Sequence, residues 1–335
     1  MDKNMNSNFY QMNEIDKQKY RKEQERAYFE KLLGEDFLKL LKDPFVTEVM
    51  LNNDEKKHLW IDKFGEGMVE TDISINNVEA LKIIENVANL NKKVVNNENP
   101  ILSGSLPNGE RFEAIIGECV NFSPIMAIRK PPTKIFTLDQ YVEKKVITEK
   151  QKNFIIQKFI SERKNILIVG GTSSGKTTFA NACLEQLTNT KDRIVIIEDT
   201  QELQCKARNV VRLKSTHKIL TSTLLKSTMR LNPTRVMIGE ARDGQTCLDF
   251  LMALNSGHPG GLVTVHADSA ELGLKKVGQY INMVSQKPQE EMIASAFDII
   301  VFIERDENQN RKIKEVLYLE DWDEVNKKYI LTSVA

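Results

Sequence analysis

The chain has 335 residues, 41% hydrophobic and 28% charged, which is too apolar for general disorder and long enough for about two domains at roughly 150 residues each. Lys plus Arg and Asp plus Glu each number 47, so the formal net charge is zero and the electrostatic case for a dedicated nucleic-acid binder is absent. The longest apolar runs, 166–169 and 299–303, fall far below the roughly 20 residues that span a bilayer.

The N-terminus has no apolar signal-peptide core, and residues 1–30 read as a flexible polar lead passing into a surface helix. Phe37, Leu38, Leu40 and Leu41 then supply one apolar helical face. Short β-like runs at 47–51, 59–62, 112–116 and 126–128 are broken by Asn, Gly and Pro. One helix is expected over 78–90, with Leu81, Ile83, Ile84, Val87 and Ala88 near helical spacing. Residues 31–130 are therefore expected to form a small α+β domain. Pro131 and Pro132 end it, and 131–150 read as a linker through a short helix. A further helix carries the Ile155/Phe159 and Ile156/Ile160 pairs. From 165 on, apolar strands at 166–169, 194–197, 235–238, 262–265 and 299–303 alternate with helices near 176–187, 221–230, 244–255 and 271–283. That alternation predicts an α/β domain over 151–335, built on a mainly parallel sheet covered on both faces.

The strand at 166–169 runs into Gly170, Gly171, Thr172, Ser173, Ser174, Gly175, Lys176 and Thr177, with Thr178 opening a helix. This is GxxxxGK[ST] in its confirming context, strand before and helix after. Glycines let the backbone N–H groups turn toward phosphate oxygens, and the helix N-terminus adds partial positive charge. Lys176 would reach the β- and γ-phosphates of ATP, and Thr177 would ligate Mg2+. Two later strands end in acids: 194–197 runs into Glu198 and Asp199, followed by Glu202, and 235–238 runs into Gly239 and Glu240. Either Glu198 or Glu240 could polarise the attacking water or hold Mg2+ through water, with Glu198 preferred as the base. Asp199 and Glu202 read equally well as solvated strand-end acids.

Taken together, GGTSSGKTT, IIEDTQEL, RLNPTRVMIGEARD and SGHPGGLVTVHADS resemble the Walker A, Asp box, Walker B and His box of the secretion (traffic) ATPase superfamily, in the expected order. The form GHPGGLVTVHADS is most similar to the branch serving type IV secretion and conjugative transfer. TEVMLNNDEKKHLWID, LPNGERFEAI and AIRKP resemble that family's N-terminal domain, so the likeness covers about residues 35–305. The commonest Walker B ends its apolar run in Asp, whereas here Gly239 stands there and Glu240 follows. The cysteines, at 119, 183, 205 and 247, are too dispersed for the tetracysteine zinc module of pilus-extension relatives.

The resemblance implies a RecA-like P-loop fold, Mg-dependent ATP hydrolysis and a homo-hexamer. It also implies inner-membrane channel proteins as partners and a cytoplasmic location, peripheral at the inner face of the inner membrane. No sequence-specific nucleic-acid contact is expected. His266 would sense the γ-phosphate or couple to the next subunit, while His258 with Gly260 and Gly261 would shape the preceding loop. Arg111 and Arg129 match positions from which the small domain supplies arginines to the γ-phosphate. Arg230, Arg235 and Arg242, around the Walker B strand, would hold loops or contact nucleotide. His58 and His217 read as ordinary histidines, and the methionines and amphipathic helices as packing. Competing functions are a pilus or type II secretion motor, a nucleotide-gated assembly scaffold and a DNA translocase.

Overall fold

A computed structural model describes residues 14–64, 66–130, 135–216, 218–287, 289–307 and 310–334. The start of the expected polar lead, Pro131 and Pro132, and His217 lie outside them. The chain divides into two compact units, Met1–Lys134 and Ile135–Ala335.

The first unit opens with α1 (Glu14–Leu33) and α2 (Glu35–Lys42), followed by β1 (Val46–Leu51), β2 (His58–Lys63) and β3 (Gly67–Ser74). Helix α3 (Asn77–Leu90) starts at a capping box. Asn76 accepts from the Glu79 amide, and the Glu79 side chain accepts from the Asn76 amide, so two otherwise orphaned donors are satisfied. Strands β4 (Ile101–Ser105), β5 (Arg111–Ile115) and β6 (Ile125–Arg129) complete an antiparallel sheet in the order β3-β2-β1-β6-β5-β4. The core side of that sheet carries Val49, Leu51, Phe112, Ala114, Met126 and Ile128. They cluster with Ile83, Ile84 and Val87 of α3 and with Phe29, Leu33, Phe37 and Leu41 of the first two helices. Alternation then forces Arg111 and Arg129 onto the other side, where they are Cα partners across β5 and β6.

In the second unit the helices α4 (Leu138–Glu143) and α5 (Glu149–Ile155) are capped by Thr137 with Gln140 and by Thr148 with Gln151. A π-helical turn, Ile156–Ser161, leads out of α5. The strands are β7 (Ile166–Gly170), β8 (Ile194–Glu198), β9 (Val210–Lys214), β10 (Arg235–Ile238), β11 (Leu262–Val265), β12 (Ile299–Arg305), β13 (Arg311–Asp323) and β14 (Lys328–Ser333). Between them lie α6 (Lys176–Glu185), α7 (Thr221–Thr228), α8 (Gly244–Leu254), α9 (Ala270–Asn282) and α10 (Glu290–Ala296). The sheet order is β14-β13-β12-β7-β11-β10-β8-β9. From β12 to β9 every pairing is parallel, whereas β13 and β14 join antiparallel. The sheet is thus mixed, and its antiparallel margin was not expected from the sequence. Leu167, Val169, Val195, Ile197, Val236, Ile238, Val263 and Val265 face one way, packed with α8, α9 and α10. Ile166, Ile168, Ile194 and Ile196 face the other way and are equally buried, which is why these strands read as unbroken apolar runs.

Parallel pairing brings the ends of β7, β11, β10 and β8 to one edge of the sheet. Each of these ends leads into one of the four motifs found in the sequence, and in open α/β sheets this edge is where ligands bind.

Candidate active site

The loop from β7 to α6 folds back on itself. Ser173 and Gly175 take left-handed backbone angles, φ +56° and +100°. At Gly175 a side chain would be strained and would also meet Arg311 Cδ at 2.8 Å. The Ser174 hydroxyl is buried, its residue 3% exposed, and its Oγ has no hydrogen-bond partner. The hydroxyl packs against Gly170, where a Cβ would lie 2.5 Å from the oxygen.

Lys176, first residue of α6, turns its ammonium back under the loop. Nζ donates to the carbonyls of Gly170 (2.8 Å) and Gly171 (2.7 Å), and lies 3.1 Å from His266 Nδ1. His266 follows β11, and its Nε2 is 3.0 Å from Glu240 Oε1. An ammonium only donates and a carboxylate only accepts, so these two neighbours favour hydrogen on Nε2, while the Gly170 backbone also bonds the ring. Burial and the positive charges of Lys176 and Arg242 hold the imidazole below its ordinary pKa, with Glu240 opposing them. The ring is neutral at neutral pH. Arg242 continues the chain. Its Nη2 donates to Glu240 Oε2 at 2.8 Å and its Nη1 to Asp199. One unbroken relay therefore joins the four motifs, from Lys176 through His266, Glu240 and Arg242 to Asp199.

The segment carrying Glu240 is pinned on both sides. Gly239 donates to the Ile197 carbonyl, Ala241 donates to the Thr264 carbonyl, and Thr264 Oγ1 donates to the Gly239 carbonyl. Gly239 also explains the missing aspartate. A Cβ there would lie 3.0 Å from Glu198 Cγ and 3.2 Å from its Oε1, so the Glu198 side chain occupies the space an aspartate would need. Glu198 itself is 5% exposed, and its Oε1 accepts from the amides of Glu202 (2.9 Å) and Leu203 (2.8 Å). Burial raises its pKa and those two amides oppose the shift. Its carboxylate braces the turn after β8 and does not enter the relay.

Arg235 sits at the start of β10, the far end of the strand from Glu240, and holds loops. It is 1% exposed. Nε bonds Asp192 (2.6 Å), Nη1 the carbonyls of Phe159 (2.8 Å) and Gly260 (3.3 Å), and Nη2 that of Ile160 (2.9 Å). Arg230 is exposed. The loop before β11 is shaped by Gly260, at φ +79°, and by Gly261, whose amide donates to Asn165 at 2.9 Å. His258 Nδ1 is buried in that loop, at the opposite end of β11 from His266. Thr177 and Thr178 lie in the first turn of α6, partly exposed. Arg111 and Arg129 belong to the first unit, side by side on its sheet. His58 there pairs with Glu70.

Two residues escaped the sequence reading. Arg305, last in β12, donates from Nε (3.1 Å) and Nη2 (2.9 Å) to the Ser173 carbonyl. Arg311, first in β13 and its Cα partner, is buried against Gly175. Neither belongs to a motif, and the only signal was an arginine at each side of a hairpin turn.

The sequence matches the family described as "Type II/IV secretion system protein" over residues 33–325. A curated relative, the conjugal transfer protein TrbB of Rhizobium radiobacter, is 40% identical over 293 residues, covering 87% of this chain and 88% of its own. The type IV secretion system protein VirB11 of Bartonella quintana is 30% identical over 285 residues, covering 72% of this chain and 79% of its own. Among solved structures, the Legionella pneumophila ATPase DotB aligns with a TM-score of 0.61 at 16% identity, covering 90% of this chain and 82% of its own. At that identity the likeness concerns the fold alone.

Proposed function

The chain belongs to the Type II/IV secretion system protein family, and from that premise we propose that it is an ATPase powering a type IV secretion or conjugative-transfer apparatus. The observation that carries the enzymatic reading is the relay from Lys176 to Asp199, which ties the phosphate loop to a carboxylate at the end of a neighbouring strand. We read the second unit as RecA-like, with ATP phosphates in the loop of residues 170–178. There the backbone amides supply donors, and Lys176 gives up part of its present set of acceptors to meet the β- and γ-phosphates.

Glu240 is the better placed of the two glutamates to orient the attacking water. His266, between Lys176 and Glu240, spans the region where the terminal phosphate and that water would lie, and its neutral ring can donate from Nε2. Glu198 then supports the turn behind them. Among the described residues no group of three His, Cys, Asp or Glu stands ready to hold a metal. A Mg2+ ion would be held by the Thr177 hydroxyl, by Glu240 through water, and by the phosphates themselves, the arrangement this reluctantly dehydrating ion usually takes. Its chemistry is to neutralise charge on the transferring phosphoryl group.

Arg111 and Arg129 are proposed to reach a γ-phosphate from the first unit, and the assembly to be a homo-hexamer working with channel proteins at the inner face of the inner membrane. Among the described residues no helix is long and apolar enough to cross a membrane.

The test is steady-state turnover of Lys176→Ala and Glu240→Gln. Loss of the ammonium at the β/γ-phosphates should lower turnover on the order of a hundredfold or more, and Glu240→Gln should keep ATP binding while losing hydrolysis. Near-normal turnover in folded Lys176→Ala protein refutes the site.

A further inference from the structure

We propose that Arg305 is a positioning residue of the phosphate site, a clamp that holds the Ser173–Ser174 peptide with its N–H turned into the loop. The inference rests on the phosphate-loop reading above and names a residue outside every motif that reading used.

The argument is one of peptide geometry. The Ser173–Ser174 bond is trans, so its C=O and N–H point in opposite directions. Arg305 takes the carbonyl with two donors, Nε at 3.1 Å and Nη2 at 2.9 Å. With the carbonyl held outward, the Ser174 N–H must face inward, and it does: it reaches across the loop to the Gly171 carbonyl at a long 3.4 Å. A bond that long is weak, so an anionic oxygen entering the loop would compete for this donor easily. The flipped alternative would aim a carbonyl dipole at the phosphates and remove a donor from the cradle.

The loop needs such a clamp because its own backbone is unfavourable. Ser173 is a non-glycine residue at φ +56°, a conformation that persists only when its surroundings enforce it. Arg311 supports the same stretch from the next strand. It is Arg305's partner in register, it is buried, and its Cδ lies where a Cβ on Gly175 would go. The antiparallel strand pair β12–β13 thus presents two guanidinium groups to the residues flanking Ser174. A fork of fixed donors suits this task and a lysine does not, because a single ammonium cannot fix a peptide plane from two directions.

The experiment compares wild type, Arg305→Ala, Arg305→Lys and Lys176→Ala, each checked for folding by thermal unfolding. ATP and ADP dissociation constants are measured by titration calorimetry, and kcat and KM by steady-state turnover. Losing one charge-assisted hydrogen bond to phosphate should raise both dissociation constants about 10- to 100-fold in Arg305→Ala. Arg305→Lys should rescue little of this. KM should rise with the dissociation constants while kcat at saturating ATP changes less. Unchanged dissociation constants in either Arg305 variant overturn the clamp. Full rescue by Arg305→Lys also overturns it, since charge alone would then suffice. Should Arg305→Ala fail to fold, Arg305→Lys decides alone. If Lys176→Ala binds and hydrolyses normally, the phosphate-site reading itself falls. If only Lys176→Ala is impaired, the site stands and the clamp is wrong.

Discussion

Arg235→Met should leave the chemistry intact and destabilise the second unit severely. The guanidinium is buried and makes its bonds to Asp192, Phe159, Ile160 and Gly260 in one fixed geometry. A methionine matches its stem in bulk and meets none of those acceptors. Asp192, 3% exposed, would keep Arg163, whose side chain is 48% exposed and lies 2.6 Å away, and a long 3.4 Å bond from the Thr234 hydroxyl. Breaking a buried ion pair on one side costs about 3–5 kcal/mol, and the abandoned carbonyls place this case toward the upper end. For a unit of roughly 200 residues, about 2–4 °C per kcal/mol converts this to a fall in Tm of roughly 6–20 °C. The assay is thermal unfolding followed by circular dichroism, with turnover measured well below the transition. Adding Asp192→Asn should recover part of the loss, because the stranded charge disappears, and the double-mutant cycle should show coupling of about 1–3 kcal/mol. A Tm change under about 3 °C, or strict additivity, would refute the ledger. Lost turnover at unchanged Tm would show instead that Arg235 serves the nucleotide.

Glu198→Gln should retain appreciable hydrolysis but loosen the turn after β8, read as faster amide exchange at Glu202 and Leu203; complete loss of hydrolysis with an intact turn would return the base to Glu198. Gly244→Ala should cost more than about 3 kcal/mol, since its Cβ would sit 2.0 Å from the Tyr280 carbonyl oxygen and backbone has no rotamer to yield; a Tm within a degree of wild type sinks that expectation. Because His266 has a lower pKa folded than unfolded, the unfolded chain binds more protons as pH falls through about 6.5, so this residue's contribution to stability is fully present above that value and declines below it. Tm measured from pH 8 to pH 5.5 should therefore fall more steeply in wild type than in His266→Gln; parallel curves would refute the neutral, desolvated ring. Arg111→Ala and Arg129→Ala should lower the ratio of ATP to ADP affinity and leave ADP binding alone, and unchanged ratios in both would confine these residues to their own sheet.

The sequence made the parallel strands of the second unit legible because burial on both faces leaves continuous apolar runs with no alternation to decipher. It showed β13 and β14 poorly for the opposite reason. These strands are half solvated and irregular, and β13 is rich in Lys, Asp and Glu. Register shifts between Phe302 and Ile303 and between Leu319 and Asp321 break the period-2 pattern, so the buried residues fall at Arg311, Ile313, Val316 and Leu319. At the site, motif spacing put Lys176, Glu198, Glu240 and His266 forward as candidates and left their contacts open. Glu198 and Glu240 look equivalent as acids at strand ends; only the fold shows that one braces a turn under Gly239 while the other faces His266. Arg235 stands within the Walker B string and serves the opposite end of its strand, and Arg305 stands outside every motif and touches the phosphate loop. Long side chains carry function away from their place in the sequence, and spacing arguments lose them.

The ammonium of Lys176 has three protons to donate, and two loop carbonyls and an imidazole are among the groups around it. On the proposed reading, a phosphate arriving there would not meet a bare charge, so binding would be an exchange of partners and its net gain correspondingly small. The same holds in reverse. When a spent nucleotide leaves, the carbonyls and the ring would take the ammonium back, and departure would strand no buried cation. An ATPase that turns over repeatedly needs a product it can let go of, and if the nucleotide binds in this loop, the contacts Lys176 makes there would be a second set of hydrogen bonds ready whenever the first set is given up.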